Sequence, residues 1–175
     1  MPVTRYVILL RGINVGGRNS LPMKELRDIL ESLGCESVTT YIQSGNVVVS
    51  APVAPDATAI TTAIEKQFGF APRVLVMRGD HFESVSRANP YNAKKVEGKQ
   101  LHISYLAGPA SADVDSLEAR KGPNEEFTLT SDALYLFAPD GIARSKLAND
   151  AEKLLGVEAT SRNWNTVRKL LEMLD

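Results

Sequence analysis

Short apolar runs alternate with amphipathic segments over the first 78 residues of the chain. Tyr6–Leu10 is a continuous run of mostly branched side chains, which predicts a buried strand. Val38–Ile42 and Val47–Ser50 are separated by four residues and predict a hairpin, and Arg73–Met77 predicts a fourth strand. Apolar residues at helical spacing predict one helix after the first strand, with Met23, Leu26, Ile29, Leu30 and Leu33, and another before the fourth, with Ile60, Ala63, Ile64 and Phe68.

The resulting order, β-α-β-β-α-β, is typical of a ferredoxin-like unit, in which two helices pack on one face of a four-stranded sheet. Asp56 is placed to cap the second helix and Gly69 to end it. We therefore predict that residues 1–78 form one ferredoxin-like subdomain.

Residues 79–175 begin to repeat this order. The predicted elements are a polar helix at Asp80–Ala88, a strand at Leu101–Leu106, a helix at Ala112–Arg120 and strands at Glu126–Thr130 and Ala133–Ala138. Two helices, Lys146–Leu155 and Trp164–Leu174, then close the chain without a clear fourth strand. The sequence thus predicts an α+β fold whose second subdomain, 79–175, is an incomplete ferredoxin-like unit with two C-terminal helices.

Composition excludes some classes of protein and leaves others open. The chain has 175 residues, 43% hydrophobic and 23% charged, with a formal net charge of −1, which is typical of a folded globular protein. Near-neutral charge argues against a surface built wholly for duplex nucleic acid but permits a local basic patch. The single cysteine, Cys35, cannot form an intramolecular disulfide. No secretory signal or apolar run of ~20 residues is present, so we expect a cytoplasmic protein with no membrane partner.

The glycine-rich segment after the first strand is the leading candidate for a ligand site. Glycines let backbone N–H groups turn toward an oxyanion, and guanidinium groups match the geometry of phosphate and carboxylate. The candidate anion-binding residues here are Arg11, Gly12, Asn14, Gly16, Gly17 and Arg18. The segment fits neither the P-loop nor the dinucleotide-binding glycine pattern. Alternatively, the glycines serve only a tight connection and the arginines are ordinary surface charges.

Two further polar motifs add candidate anion contacts. Gln43, Ser44 and Asn46 lie in the predicted hairpin turn, where turn chemistry alone explains Gly45 and Asn46. Arg162, Asn163 and Asn165 open the last helix, where Asn163 can act as the cap. Trp164 lies on the apolar face of that helix, which favours a core position over a base-stacking role. We predict that all three motifs come together at one end of the molecule.

Candidates for catalysis are few. His81 and His102 lack the spacing of a metal site. Cys35 follows Gly34, and a cysteine in such a place is more often a small buried hydrophobic residue than a reactive thiolate. No serine lies in a nucleophile elbow, and no carboxylate pair stands out. The catalytic residues are therefore unknown, we predict no metal or cofactor, and whether the protein is an enzyme stays open.

Three segments together resemble a known bacterial family. They are Leu10-Arg11-Gly12-Ile13-Asn14-Val15-Gly16-Gly17, Tyr41-Ile42-Gln43-Ser44-Gly45-Asn46-Val47 and Thr160-Ser161-Arg162-Asn163-Trp164-Asn165-Thr166-Val167. The combination resembles domain of unknown function 1697. This resemblance implies a two-part α/β fold related to a duplicated ferredoxin-like unit, and a cytosolic protein. It implies no activity.

The function expected from these residues is binding of a phosphate-bearing ligand, either a nucleotide or a single-stranded nucleic acid, through the glycine loop. Two alternatives remain. In the first, the protein is an enzyme acting on a small anionic metabolite held by Arg11, Arg18 and Arg162. In the second, it is a subunit whose polar motifs fix an interface. The few aromatic residues, 6% of the chain, argue against an RNA-recognition sheet.

Overall fold

The computed structural model describes residues 2–111 and 113–175. Within them the protein is a mixed α+β structure of two four-stranded antiparallel sheets and six α-helices. The chain divides into two compact units, the first comprising Met1–Glu83 with Lys169–Asp175 and the second Ser84–Arg168. Two helices, α3 (Gly79–Arg87) and α6 (Trp164–Leu174), contain the points at which the chain passes from one unit to the other.

The first unit follows the predicted order of elements. They are β1 (Thr4–Arg11), α1 (Met23–Ser32), β2 (Glu36–Tyr41), β3 (Asn46–Ala51), α2 (Ala57–Phe68) and β4 (Arg73–Arg78). The sheet has the order β2-β3-β1-β4, with every neighbouring pair antiparallel. β1 is buried at Tyr6–Leu10, which explains why its sequence is continuously apolar rather than alternating.

The two helices of this unit form as the sequence predicts. α2 is capped by Asp56, whose carboxylate accepts hydrogen bonds from two backbone N–H groups, and it ends at Gly69 with φ of 81°. Both helices pack against the sheet because their apolar stripes share one core with alternate strand residues. That core includes Ile8 and Leu10 of β1, Val47 and Val49 of β3, Leu26 and Leu30 of α1, and Ile60 and Ile64 of α2.

The second unit contains β5 (Leu101–Leu106), α4 (Val114–Arg120), β6 (Glu126–Leu129), β7 (Ala133–Phe137), α5 (Lys146–Leu155) and β8 (Ala159–Asn163). Its sheet has the order β6-β7-β5-β8 and is also antiparallel. Leu117, Leu134, Leu136, Leu147, Ala151 and Leu155 form the core between this sheet and the two helices. Ala112, where the sequence starts the first of these helices, lies outside the described residues.

The prediction that the second unit is incomplete is wrong, because β8 is its fourth strand. Its sequence, Ala159-Thr160-Ser161-Arg162-Asn163, has no apolar alternation and so gives no strand signal. The strand lies at the edge of the sheet and pairs with β5 along its whole length, from Ala159 opposite Leu106 to Asn163 opposite His102. Backbone pairing with a buried neighbour, rather than side-chain pattern, therefore defines this strand. Each unit consequently contributes four strands and two helices in the same order.

Candidate functional site

The glycine loop after β1 is a miniature hairpin. The backbone N–H of Val15 donates to the carbonyl of Arg18 at 3.2 Å, and the N–H of Arg18 donates to the carbonyl of Val15 at 2.9 Å. Gly16 and Gly17, with φ of 56° and 74°, are the two residues of its turn. Two consecutive positive φ values define a tight hairpin turn that glycine favours. The geometry of these two glycines is thus accounted for by the turn.

Asn14 joins the base of this hairpin to the rest of the unit. Its side-chain Nδ2 donates to the carbonyls of Leu21 at 2.9 Å and Gln43 at 2.8 Å, while its Oδ1 accepts from the N–H of Leu21 at 2.7 Å. Asn14 also has a positive φ, 52°, which asparagine tolerates better than most residues. Across the hairpin, Asn19 donates from Nδ2 to the carbonyl of Gly12 at 2.8 Å. The asparagines of the loop therefore fix its shape.

The turn between β2 and β3 meets the glycine loop, as the sequence predicts for these two motifs. The N–H of Leu10 donates to the carbonyl of Gly45 at 2.9 Å. A Cβ at Gly45 would lie 2.6 Å from the Cβ of Leu10 and 3.1 Å from Cδ1 of Ile13, so only glycine allows this approach. Asn46 is buried and donates from Nδ2 to Ser44 Oγ at 2.9 Å and to the carbonyl of Tyr41 at 3.2 Å.

Arg11 faces a second arginine across the sheet. It is the last residue of β1, and its partner in the antiparallel register is Arg73, the first residue of β4. Directly opposed residues of an antiparallel pair project from the same face of the sheet, with Cβ atoms about 5 Å apart. A shallow concavity of 230 Å³ is lined by both arginines together with Gly12, Asn19, Ala71 and Pro72. Asn19, at the base of the hairpin, is the residue of that segment that lines the concavity.

Arg73 is not among the residues that the sequence predicts for the site, because its pairing with Arg11 depends on the register of β4 against β1. When the fourth strand lies antiparallel beside the first, its first residue faces the end of the first strand. Arg18, in contrast, is an exposed residue at the turn of the hairpin, whereas Arg11 and Gly12 line the concavity. Gln43 contributes its backbone carbonyl to the loop, and its side chain is exposed.

The third polar motif lies in the second unit, at the junction of β8 and α6. Asn163 caps α6, because its Oδ1 accepts from the N–H of Thr166 at 3.0 Å. Arg162 donates from Nη1 to the carbonyl of Ser161 at 2.9 Å. Asn165 Oδ1 accepts from Arg168 at 2.7 Å. Whether this motif joins the first two stays a prediction, since they belong to the first unit.

Asn165 also packs tightly on the short 3-10 turn Gly98–Gln100 of the same unit. A Cβ at Gly98 would lie 2.1 Å from the Oδ1 of Asn165, so a larger residue there would displace the asparagine side chain. Trp164, at the start of α6, is only partly buried.

Comparison with known proteins identifies the family of this chain. The model of the family described as "Protein of unknown function (DUF1697)" matches residues 3–135. The chain belongs to this family. The matched region includes the glycine loop, the β2–β3 turn and Arg73, so all residues of the concavity lie within the family domain. No protein with a curated description matches the chain.

Among solved structures, a conserved bacterial protein of Streptococcus pneumoniae has the same fold. It is 24% identical in sequence, with a TM-score of 0.74 over 99% of both chains. An unknown protein from Galdieria sulphuraria is 16% identical with a TM-score of 0.28, over 93% of this chain and 99% of its own. The likeness to the Streptococcus pneumoniae protein shows the fold, and the description of the family names no function.

Buried titratable groups in this DUF1697 protein have shifted pKa values. His102 in β5 is buried, and loss of hydration lowers the pKa of its imidazole to about 4, so it is neutral at pH 7. Burial likewise raises the pKa of the Cys35 thiol, which lies in the core of the first unit.

Within the described residues we find no group of three His, Cys, Asp or Glu side chains placed to hold a metal ion. The described helices include none of the length and apolar character needed to cross a membrane.

Proposed function

We propose that this protein binds a phosphate-bearing ligand at the concavity between Arg11 and Arg73. The observation that carries the proposal is the strand register that pairs Arg11 with Arg73 on one face of the sheet, where both line the concavity beside Asn19 and Gly12. Like charges directly opposite each other in a sheet repel, whereas an anion bound between them attracts both. Two arginines also supply the paired N–H donors that suit phosphate oxygens.

The size of the concavity defines how much of a ligand it can hold. At 230 Å³ it is smaller than the ~300–1,000 Å³ of pockets that enclose a whole small molecule. It accommodates a phosphate group while the remainder of the ligand extends over the surface. A nucleotide or a single strand of nucleic acid has this form.

The lining of the concavity favours binding over catalysis. Its described residues are arginine, glycine, asparagine, alanine and proline, none of which acts as a general acid or base near neutral pH. An enzyme acting on an anionic metabolite needs such a group near the anion. The loop residues Asn14, Gln43, Ser44 and Asn46 then serve to hold the hairpin and the turn in place around Arg11.

Both units fit a ferredoxin-like arrangement, which we include in the proposal. In each, the first strand is central, lies between the third and fourth strands, and is antiparallel to both. Sheets of this kind host many unrelated activities, so the arrangement supports the placement of the site and not its ligand.

Isothermal titration calorimetry with a nucleoside monophosphate and a short single-stranded oligonucleotide tests the proposal. We expect Arg11→Ala and Arg73→Ala each to weaken binding about 10- to 100-fold, as expected for loss of a charge-assisted hydrogen bond. Lys66→Ala is the matched control, because Lys66 is an exposed cation on α2 of the same unit. Affinity that falls steeply with salt identifies nucleic acid as the ligand. Absence of binding at millimolar concentration, or binding indifferent to both arginines, refutes the proposal.

A further inference from the structure

A second and larger cavity lies within the second unit. Its volume is 480 Å³, and it is formed by the end of α4, the loop Lys121–Glu125 and the segment Asp140–Lys146 that leads into α5. This volume is within the range of sites that enclose a whole small molecule. The cavity shares no residue with the concavity at Arg11 and Arg73.

The cavity wall is rich in positive charge. Four of its residues are cationic: Arg120, Lys121, Arg144 and Lys146. Arg120 pairs with Asp150 at 3.3 Å and Lys121 with Glu118 at 3.0 Å. The side chains of Arg144 and Lys146 form no hydrogen bond or ion pair with any described residue. Two cations of the cavity lining are therefore available to an anion.

The backbone adds to this charge. Lys146 is the first residue of the ten-residue helix α5, whose positive end therefore lies at the same wall. The helix is capped by Ser145, whose side chain accepts from the N–H of Ala148 at 3.0 Å.

Two carboxylates also line the cavity. Glu125 is 7% exposed, and its Oε1 accepts from the N–H of Gly122 at 2.7 Å, which holds it against the loop. Asp140 accepts from Asn124 Nδ2 at 3.4 Å. Carboxylate oxygens have several acceptor sites and bind hydroxyl groups well, but repel a phosphate. A ligand that suits both the cations and the carboxylates carries a phosphate together with hydroxyl groups.

We propose that this cavity binds a small organic phosphate bearing hydroxyl groups, of the class of a sugar phosphate. The phosphate contacts Arg144 and Lys146, and the hydroxyl groups donate to Glu125 and Asp140. This site is distinct from the one under Proposed function, and neither depends on the other.

Calorimetric titration of the full chain with glucose 6-phosphate, glucose and inorganic phosphate tests this site. We expect glucose 6-phosphate to bind, inorganic phosphate to bind at least about tenfold more weakly, and glucose to show no binding at millimolar concentration. Arg144→Ala and Lys146→Ala each weaken glucose 6-phosphate binding about tenfold or more, whereas Lys153→Ala, an exposed cation of α5 outside the cavity, leaves it unchanged.

Glu125→Gln keeps the shape of the side chain and removes its charge. We expect it to weaken glucose 6-phosphate relative to inorganic phosphate, because the carboxylate contacts only the hydroxyl end. Arg11→Ala leaves glucose 6-phosphate binding intact, which separates this site from the concavity of the first unit. No binding of glucose 6-phosphate, equal affinity for inorganic phosphate, or insensitivity to Arg144→Ala and Lys146→Ala overturns the inference.

Discussion

Replacing Gly45 by alanine tests how the β2–β3 turn is held against the end of β1. Gly45 has φ of 89°, and its added Cβ would lie 2.6 Å from the Cβ of Leu10. A left-handed conformation costs a non-glycine residue about 1–2 kcal/mol, and overpacking costs about 1–3 kcal/mol more. The lower entropy of the unfolded alanine chain offsets about 0.4–1 kcal/mol. We expect Gly45→Ala to reduce the free energy of unfolding by about 2–4 kcal/mol.

Gly17→Ala is the matched control for the steric part of this loss. Gly17 also has a positive φ, 74°, but no described atom lies within 4 Å of its added Cβ. Its substitution therefore removes the conformational freedom without creating a contact, and we expect a loss of only about 1 kcal/mol. The difference between the two variants measures the contact with Leu10.

Urea unfolding followed by circular dichroism gives the free energies, and amide hydrogen exchange locates the change. The N–H of Leu10 donates to Gly45, so its exchange in Gly45→Ala should accelerate more than that of amides in the second unit. Equal losses in Gly45→Ala and Gly17→Ala, with unchanged protection of Leu10, would refute the reasoning. Such a result means that the turn moves away from β1 at no cost.

Three further predictions concern separate features. His102→Leu should flatten the pH dependence of stability between pH 6.5 and 4. Above pH 6.5 the imidazole is neutral in both the folded and the unfolded state, but as the pH falls toward 4 only the unfolded chain takes up a proton. The wild type therefore loses about 3 kcal/mol in its free energy of unfolding, and the variant does not. Urea midpoints of the two proteins that change in parallel across this range would contradict the prediction. Asn14→Ala should lower the free energy of unfolding by about 2–3 kcal/mol because the buried N–H of Leu21 loses its acceptor, and an unchanged urea midpoint would show that water replaces the side chain. Arg73→Glu should raise stability by up to about 1 kcal/mol through attraction to Arg11, while phosphate binding measured by calorimetry disappears; retained binding would place the anion elsewhere.

The elements with strong apolar periodicity were predictable from sequence. Three helices, α1, α2 and α5, bury residues at helical spacing. The side chain of Asp56 caps the start of α2, and glycine in a left-handed conformation ends α2 at Gly69 and α5 at Gly156. β8 was not predictable in this way, because its only fully buried residue is Thr160 and its strand conformation depends on pairing with β5. Edge strands of this kind are specified by the neighbouring strand more than by their own side chains.

The candidate site was predictable only in part, for a similar reason. The sequence predicts Arg11, the glycine loop and the β2–β3 turn as parts of the site, and the turn at Gly45 does contact the end of β1. The pairing of Arg11 with Arg73 depends on the register of two strands that are far apart along the chain, which no local pattern specifies. The cavity of the second unit likewise combines segments on either side of two strands, so the cations of its wall look in sequence like scattered surface charges.

The two units repeat a detail beyond the order of their strands. In the first, the N–H of Leu10 donates to the carbonyl of Gly45 in the turn between the second and third strands, at 2.9 Å. In the second, the N–H of Leu106 donates to the carbonyl of Asp132, in the corresponding turn, at 3.0 Å. Leu10 and Leu106 are therefore equivalent positions, and they face Val74 of β4 and Ala159 of β8.

This equivalence separates what the fold requires from what a ligand site requires. The positions that correspond to Arg11 and Arg73 are Ala107 and Glu158, whose backbones are joined by a hydrogen bond of 2.9 Å from the N–H of Ala107. The backbone pairing between the end of the first strand and the start of the fourth thus forms with one small and one acidic residue. Two opposed arginines are therefore not needed to build it, and their mutual repulsion opposes it. An anion bound between Arg11 and Arg73, as we propose, offsets this repulsion, and the second unit has no equivalent pair of arginines.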